Sequence, residues 1–145
     1  MTENATVSPT THKAALLVDA ALPAGLAANT AAVLALSLGR QVESLVGPEL
    51  KDADGSPHAG ITTVPLPVLC ADADTLKAIR NRAVQDHPDV LVVDFTDCAQ
   101  RTRTYDDYAA LLEAATDQDI TYVGVALHGP RKQVQKLTGS LPLLR

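Results

Sequence analysis

The sequence predicts a single α/β domain, a sheet covered by helices on both faces. Three observations carry this. Short apolar runs that read as strands alternate with longer helical stretches, in the order strand, helix, strand, helix, strand, helix, strand, helix. The chain has 145 residues, the length of one domain. Hydrophobic residues make up 46% and aromatics only 3%, so a core is available but must be built from Leu, Val, Ile and Ala.

The elements follow in order. Residues 1 to 12 are polar, with Thr, Ser and Pro, and read as a disordered tail ahead of a domain spanning 13 to 145. Lys13 to Val18 (KAALLV) is a buried strand that stops at Asp19. Leu22-Pro23 opens AGLAANTAAVLALSLG, where proline fits a helix start and Gly39 a helix end. This helix is apolar nearly all round and is expected to be buried. Between residues 40 and 61, Asp54-Gly55 signals a turn, at the tip of a small hairpin. Val64 to Cys70 (VPLPVLC) is a strand whose two prolines put its first half outside a ladder.

Asp72 or Asp74 can cap the next helix, with Leu76, Ile79, Ala83 and Val84 on one stripe. Val90 to Val93, ending at Asp94, is the clearest strand. Thr104, with Asp107 three residues on, starts a helix whose apolar face is Tyr108, Leu111, Leu112 and Ala115. Thr121 to Leu127 is the last strand, and Gly129-Pro130 opens the last helix, which Gly139 ends.

Charge and motifs exclude several functions. A net charge of −5 opposes general binding to phosphate backbones, so nucleic acid is not an expected partner. Cys70 and Cys98 cannot build a disulfide framework or a zinc site, and no metal or cofactor is expected. No apolar run is long enough to span a bilayer and the N-terminus lacks a secretory pattern, so no membrane partner and a cytoplasmic address are expected. Asp52-Ala53-Asp54-Gly55 starts like a calcium loop, but the twelfth position is Thr63 rather than Glu.

Candidate site residues cluster near strand ends. Asp19, Cys70, Asp94 and His128 close the four strands, where ligand sites of parallel sheets gather. Polar residues also end strands simply to make turns, and one antiparallel strand splits the set. Asn29 and Thr30 sit within the apolar helix, either bonded to nearby backbone or facing a pocket. In His128-Gly129-Pro130-Arg131-Lys132 a strand turns into a helix start, where an anion would offset two cations that oppose the helix dipole. Thr102, in the run from Arg101 to Thr104, can add a donor near Asp94 and Asp97.

The stretches LPAGLAANTAAVLALSLG, VLVVDFT, GVALHGPRK and LTGSLPLL resemble those of the uncharacterised family called domain of unknown function 2000. At greater distance the chain resembles type II peptidyl-tRNA hydrolases. Ala27-Ala28-Asn29 stands where those enzymes have Ala-Ala-Gln, and Thr138-Gly139-Ser140-Leu141-Pro142-Leu143-Leu144 matches their ending. This resemblance implies a three-layer α/β/α fold with a small mixed sheet whose last strand is antiparallel. It then implies that Thr121 rather than His128 lies near Asp19 and Asp94. For catalysis it implies Asp94 or Asp97 as the carboxylate and Thr121 as its partner. The family's lysine ahead of Ala-Ala-Gln is absent, since the stretch reads Pro23-Ala24-Gly25-Leu26, and its helix histidine is replaced by Ala32. A lysine there supplies a positive charge for a phosphate or an oxyanion.

Three functions follow as expectations. The first is a binding module with a pocket near Asp19, Asn29, Asp94 and Thr121 for a small ligand, such as an amine. The second is hydrolysis of an ester or amide, with a carboxylate base and Thr121 as donor. The third is a homodimer formed through the Ala-rich helix and the tail Leu141-Pro142-Leu143-Leu144.

Overall fold

The computed structural model describes residues 11–145 and shows a mixed α/β domain. Its elements are β1 (His12–Asp19), α1 (Ala24–Gln41), β2 (Leu50–Lys51), β3 (Pro57–His58), β4 (Val68–Ala71), α2 (Ala73–Asp86), β5 (Leu91–Thr96), α3 (Asp97–Gln100), α4 (Tyr105–Ala114), β6 (Tyr122–Pro130) and α5 (Arg131–Thr138). β1 begins at His12, one residue before the strand expected from Lys13; of the tail expected over residues 1 to 12, residues 1–10 lie outside the described residues.

The main sheet has four strands in the order β4-β1-β6-β5. β1 and β4 are parallel, while β6 is antiparallel to both β1 and β5. The sheet is therefore mixed and its last strand reversed. Alternation along the strands divides the core into two layers. Ala15, Leu17, Val125 and Leu127 meet Leu76, Ile79, Val134 and Leu137 of α2 and α5. Ala14, Leu16 and Ala126 meet Leu34 and Leu38 of α1 on the other face.

The helix α1 differs from its expected burial. Only Ala27, Thr30, Leu34 and Leu38 are buried, while Leu36 is 80% and Leu26 is 47% exposed. Alanines and glycine make the sequence look apolar all round yet bury little area each. The stripe at spacings of three and four is what the sheet holds. Nor does Gly39 end the helix, which runs on to Gln41 and closes with the Val42 N–H on Leu38 O. On α2, Asp72 is the cap, accepting the Thr75 N–H at 2.7 Å, and Val84 points outward, 52% exposed. Thr104 caps α4 by accepting from the Asp107 N–H at 3.1 Å. α4 buries no residue fully; Tyr108, Leu111, Leu112 and Ala115 are half-buried.

The expected hairpin forms as β2 and β3, with Gly55 at φ 81°. Asp52 organises it by accepting the N–H groups of Asp54 and Ser56 and pairing with His58 at 2.9 Å. β4 begins only at Val68, after Pro65 and Pro67, as proline chemistry requires. The outer side of β4 is taken by the chain's own tail: Cys70 N–H donates to Pro142 O and Leu144 N–H to Val68 O. The tail backbone expected at a homodimer contact is thus occupied within the chain, which covers an open sheet edge.

Candidate functional site

Reversal of β6 sorts the candidate residues toward the two ends of the sheet. Asp19, Asp97 and Thr121 share one end of the sheet, while Asp94, expected to close its strand, lies inside β5 opposite Val125; His128, Arg131 and Lys132 lie toward the other end. Asp19 makes the turn into α1, its carboxylate accepting the Ala21 N–H at 2.9 Å. Asp97 and Thr121 are locked together: Asp97 N–H donates to Thr121 O at 2.9 Å, and Thr121 N–H to Asp97 Oδ1 at 3.1 Å. The Asp97 carboxylate also faces Arg101 at 3.9 Å, and Thr121 is exposed.

The two helix candidates part company. Asn29 is exposed on α1, so it needs no buried partner. Thr30 is fully buried, donates its hydroxyl to Leu26 O at 2.8 Å, and turns its methyl to β6.

Asp94 meets a residue that the sequence had not singled out. Its Oδ2 accepts from Arg80 Nε of α2 at 3.2 Å, with both side chains about three-quarters buried. The Arg80 guanidinium also lies 5.1 Å over the ring of Tyr122. Tyr122 in turn donates to Asp117 Oδ1 at 3.4 Å, and Asn81 reaches the other oxygen of Asp117 at 3.3 Å. Lys77 donates to the backbone oxygens of Asp117 and Ile120. This network ties the loop before β6 to α2. Its members are far apart in sequence, so only the topology could reveal them.

Beside Asp94, beyond the outer edge of β5, lies a cleft of about 350 Å³. α1 contributes Val33 and Ser37, β5 contributes Phe95, and the α3–α4 segment supplies Thr102, Arg103, Tyr105 and Tyr108. The Thr102 hydroxyl donates to Cys98 O at 2.9 Å, which folds the short α3 back toward α4. Tyr105 and Tyr108 meet edge to face with centroids 5.6 Å apart. Burial, then the Asp94 carboxylate, raises the Tyr108 phenol above its usual range, so it is a neutral donor at neutral pH. Arg103 is exposed and has no ion pair or hydrogen bond among the described residues.

The aromatic distribution is informative. The chain has three tyrosines and one phenylalanine, and three of these four line this cleft. An aliphatic core has no need of them, and Tyr105 is 80% exposed. Their scarcity was a signal available in the sequence, where Tyr108 reads as an ordinary apolar helix position.

At the other end His128 is buried and stacks on His12, with centroids 5.6 Å apart and planes 17° apart. Burial and then His12 lower its pKa, and its Nε2 has no partner. Among the described residues no group of three or more His, Cys, Asp or Glu is placed to hold a metal ion, and no helix is long and apolar enough to cross a membrane.

Comparison with known proteins gives two findings. The family model described as Protein of unknown function (DUF2000) matches residues 12–145. A solved structure of a protein of unknown function from Agrobacterium tumefaciens strain C58 has a TM-score of 0.83 at 21% identity, covering 92% of this chain and 97% of that one. At that identity the likeness establishes the fold alone. No curated protein matches.

Proposed function

The chain belongs to the family described as Protein of unknown function (DUF2000), whose description assigns no activity, and from this premise and the geometry above we propose that it is a small-ligand-binding domain. Its site is the cleft between α1, β5 and α4. The observation that carries this reading is the gathering of Phe95, Tyr105 and Tyr108 into one cleft of a chain with four aromatic residues. Aromatic rings give a planar ligand a stacking surface, and a few polar groups fix its orientation. Here those groups are Arg103, the Tyr108 hydroxyl and the Ser37 hydroxyl. The cleft suits a planar ring bearing a carbonyl or anionic substituent for Arg103. An amine remains a secondary choice, since Arg80 already offsets the Asp94 charge.

The test is a thermal-shift screen of planar small molecules, repeated on Tyr108→Ala and Arg103→Gln. Stabilisation of the wild type that both variants lose supports the site. Stabilisation that neither variant alters places binding elsewhere and refutes it.

The finer reading of the fold, as type II peptidyl-tRNA hydrolase-like, is also part of this proposal. It is supported by the reversed last strand, by Ala27-Ala28-Asn29 in α1, and by the matching tail folded along β4. A second function, hydrolysis of an ester or amide, is favoured by one observation: Asp97 and Thr121 are hydrogen-bonded neighbours at the end of β5. Against Asp94 as its base stands the Arg80 ion pair, which already engages one of its carboxylate oxygens. Turnover of a model peptidyl-tRNA that is lost in Asp97→Asn and Thr121→Ala would support hydrolysis; no turnover by folded protein would remove it.

A further inference from the structure

The sheet treats its two edges differently. The outer edge of β4 is covered by the chain's own tail. β5 ends the order β4-β1-β6-β5 on the other side. The backbone groups that β5 turns away from β6 have no hydrogen-bond partner among the described residues. A row of unpaired N–H and C=O groups is a template for one more strand. Proline, lysine or an inward charge commonly blunts such an edge. β5 carries no proline or lysine, and its one charge, Asp94, is already paired with Arg80.

Two hollows lie along this edge. The aromatic cleft adjoins Asp94 and Phe95 and takes Val33 and Ser37 from α1. A hollow of about 460 Å³ adjoins Leu91 and Val92, three positions earlier, and takes Ala83 and Val84 from α2, with Asp89 at its rim. α1 and α2 pack on opposite faces of the sheet. Successive side chains of a strand point to opposite faces, and three residues span roughly 10 Å. A strand added to β5 therefore places one side chain in the cleft and the side chain three residues away in the second hollow. Both the spacing and the change of face fit an extended chain.

Charge gives that chain a direction. Arg103 at the cleft and Asp89 at the second hollow are exposed, and neither side chain has an ion pair or hydrogen bond among the described residues.

We propose that the free edge of β5 binds an extended peptide segment by strand addition. An aromatic side chain enters the cleft, an aliphatic one three residues later covers Val84, an acidic residue meets Arg103 and a basic one meets Asp89. The segment runs antiparallel to β5, the more stable pairing. This rests on the aromatic cleft being the ligand site and names the class of its ligand: the edge binds the backbone amides and the two hollows select the side chains.

The experiment follows amide chemical shifts of the full chain with three probes: acetyl-Glu-Phe-Thr-Thr-Leu-Lys-amide, its charge-reversed form acetyl-Lys-Phe-Thr-Thr-Leu-Glu-amide, and benzoate. The first peptide should shift Val84, Leu91, Val92, Phe95 and Tyr108 together and saturably, and charge reversal should weaken it several-fold. Only alternate N–H groups of an added strand face β5. N-methylation of one of the two threonines should therefore weaken binding about tenfold, and of the other should leave it nearly unchanged. Val84→Lys, at an exposed position of α2, should weaken the peptide but not benzoate. Benzoate in the cleft without peptide binding, or peptide binding indifferent to the site of methylation and to Val84→Lys, overturns strand addition and leaves the cleft reading standing. Failure of every probe to move the cleft overturns the proposal together with the reading it rests on. Hydrogen-exchange protection of β5 amides that grows with protein concentration, without peptide, would assign the edge to a second copy and also overturn it.

Discussion

Substituting Gly124 by alanine tests how α1, one wall of the aromatic cleft, is held. Gly124 lies in β6 beneath α1, and a Cβ there would stand 2.4 Å from Thr30 Cγ2, 2.9 Å from Leu34 Cδ1 and 3.2 Å from Leu17 O. Thr30 and Leu34 are both fully buried, and the Thr30 hydroxyl is anchored to Leu26 O at 2.8 Å, so the methyl cannot swing away freely. Forcing a methyl into a packed core costs about 1–3 kcal/mol. Removing a glycine from a strand interior by itself favours the folded state by roughly 0.5–1 kcal/mol. The steric term is the larger, so Gly124→Ala should destabilise. At roughly 2–4 °C per kcal/mol for a chain of this size, Tm falls by several degrees. Thr30→Ser removes the nearest atom and should restore part of the loss in the double variant, a coupling of about 0.5–3 kcal/mol. Thermal unfolding of the four proteins by circular dichroism reads this directly. A Gly124→Ala protein as stable as the wild type, or strictly additive variants, would refute the close approach of α1 to β6.

Other predictions concern the edges of the site. Thr104→Ala removes the α4 cap and should cost about 0.5–2 kcal/mol by chemical denaturation, with earlier loss of the Tyr105 and Tyr108 environment. Asp94→Asn keeps the shape but breaks a partly exposed ion pair, so unfolding free energy should drop by only about 0–1 kcal/mol; a larger loss makes Asp94 mainly structural. For pH, His128 has its folded pKa below 6.5, so the unfolded chain takes up the proton first. Its contribution is complete above about pH 6.5, declines as the pH falls toward the folded value, and is flat below that. Denaturation from pH 8 to 5 should show this slope, and His128→Gln should flatten it. The lowered carboxylates of Asp52 and Asp72 act in a separate window, losing their contribution only as the pH falls below 3.8 toward their folded values.

Elements whose signal is local were legible in the sequence. The centre of β1 and the first half of β5 are apolar runs, the prolines before β4 act through their own missing N–H, and Asp72, Thr104 and Gly55 do chemistry within three residues of themselves. The exposure of Leu26 and Leu36 was not legible, because alanine counts as apolar in a pattern while contributing little area to a core. The direction of β6 is not encoded in its own residues; it came from the resemblance, and it decides that Thr121 rather than His128 lies at the end of β5, beside Asp97. The Arg80–Asp94 pair joins a helix to a strand across the fold; Asp94 stands out in the sequence as a strand-ending carboxylate, but nothing local marks Arg80 as its partner. The cleft is assembled from α1, β5 and α4, so no single motif announces it.

The most direct test of the central claim is a fragment titration followed by side-chain and amide chemical shifts. Planar compounds bearing a carbonyl or carboxylate should move the resonances of Phe95, Ala99, Thr102, Tyr105 and Tyr108 together and saturably, and Tyr108→Ala should abolish the effect. Binding that maps elsewhere, or a cleft that responds to none of the planar compounds, would contradict the account.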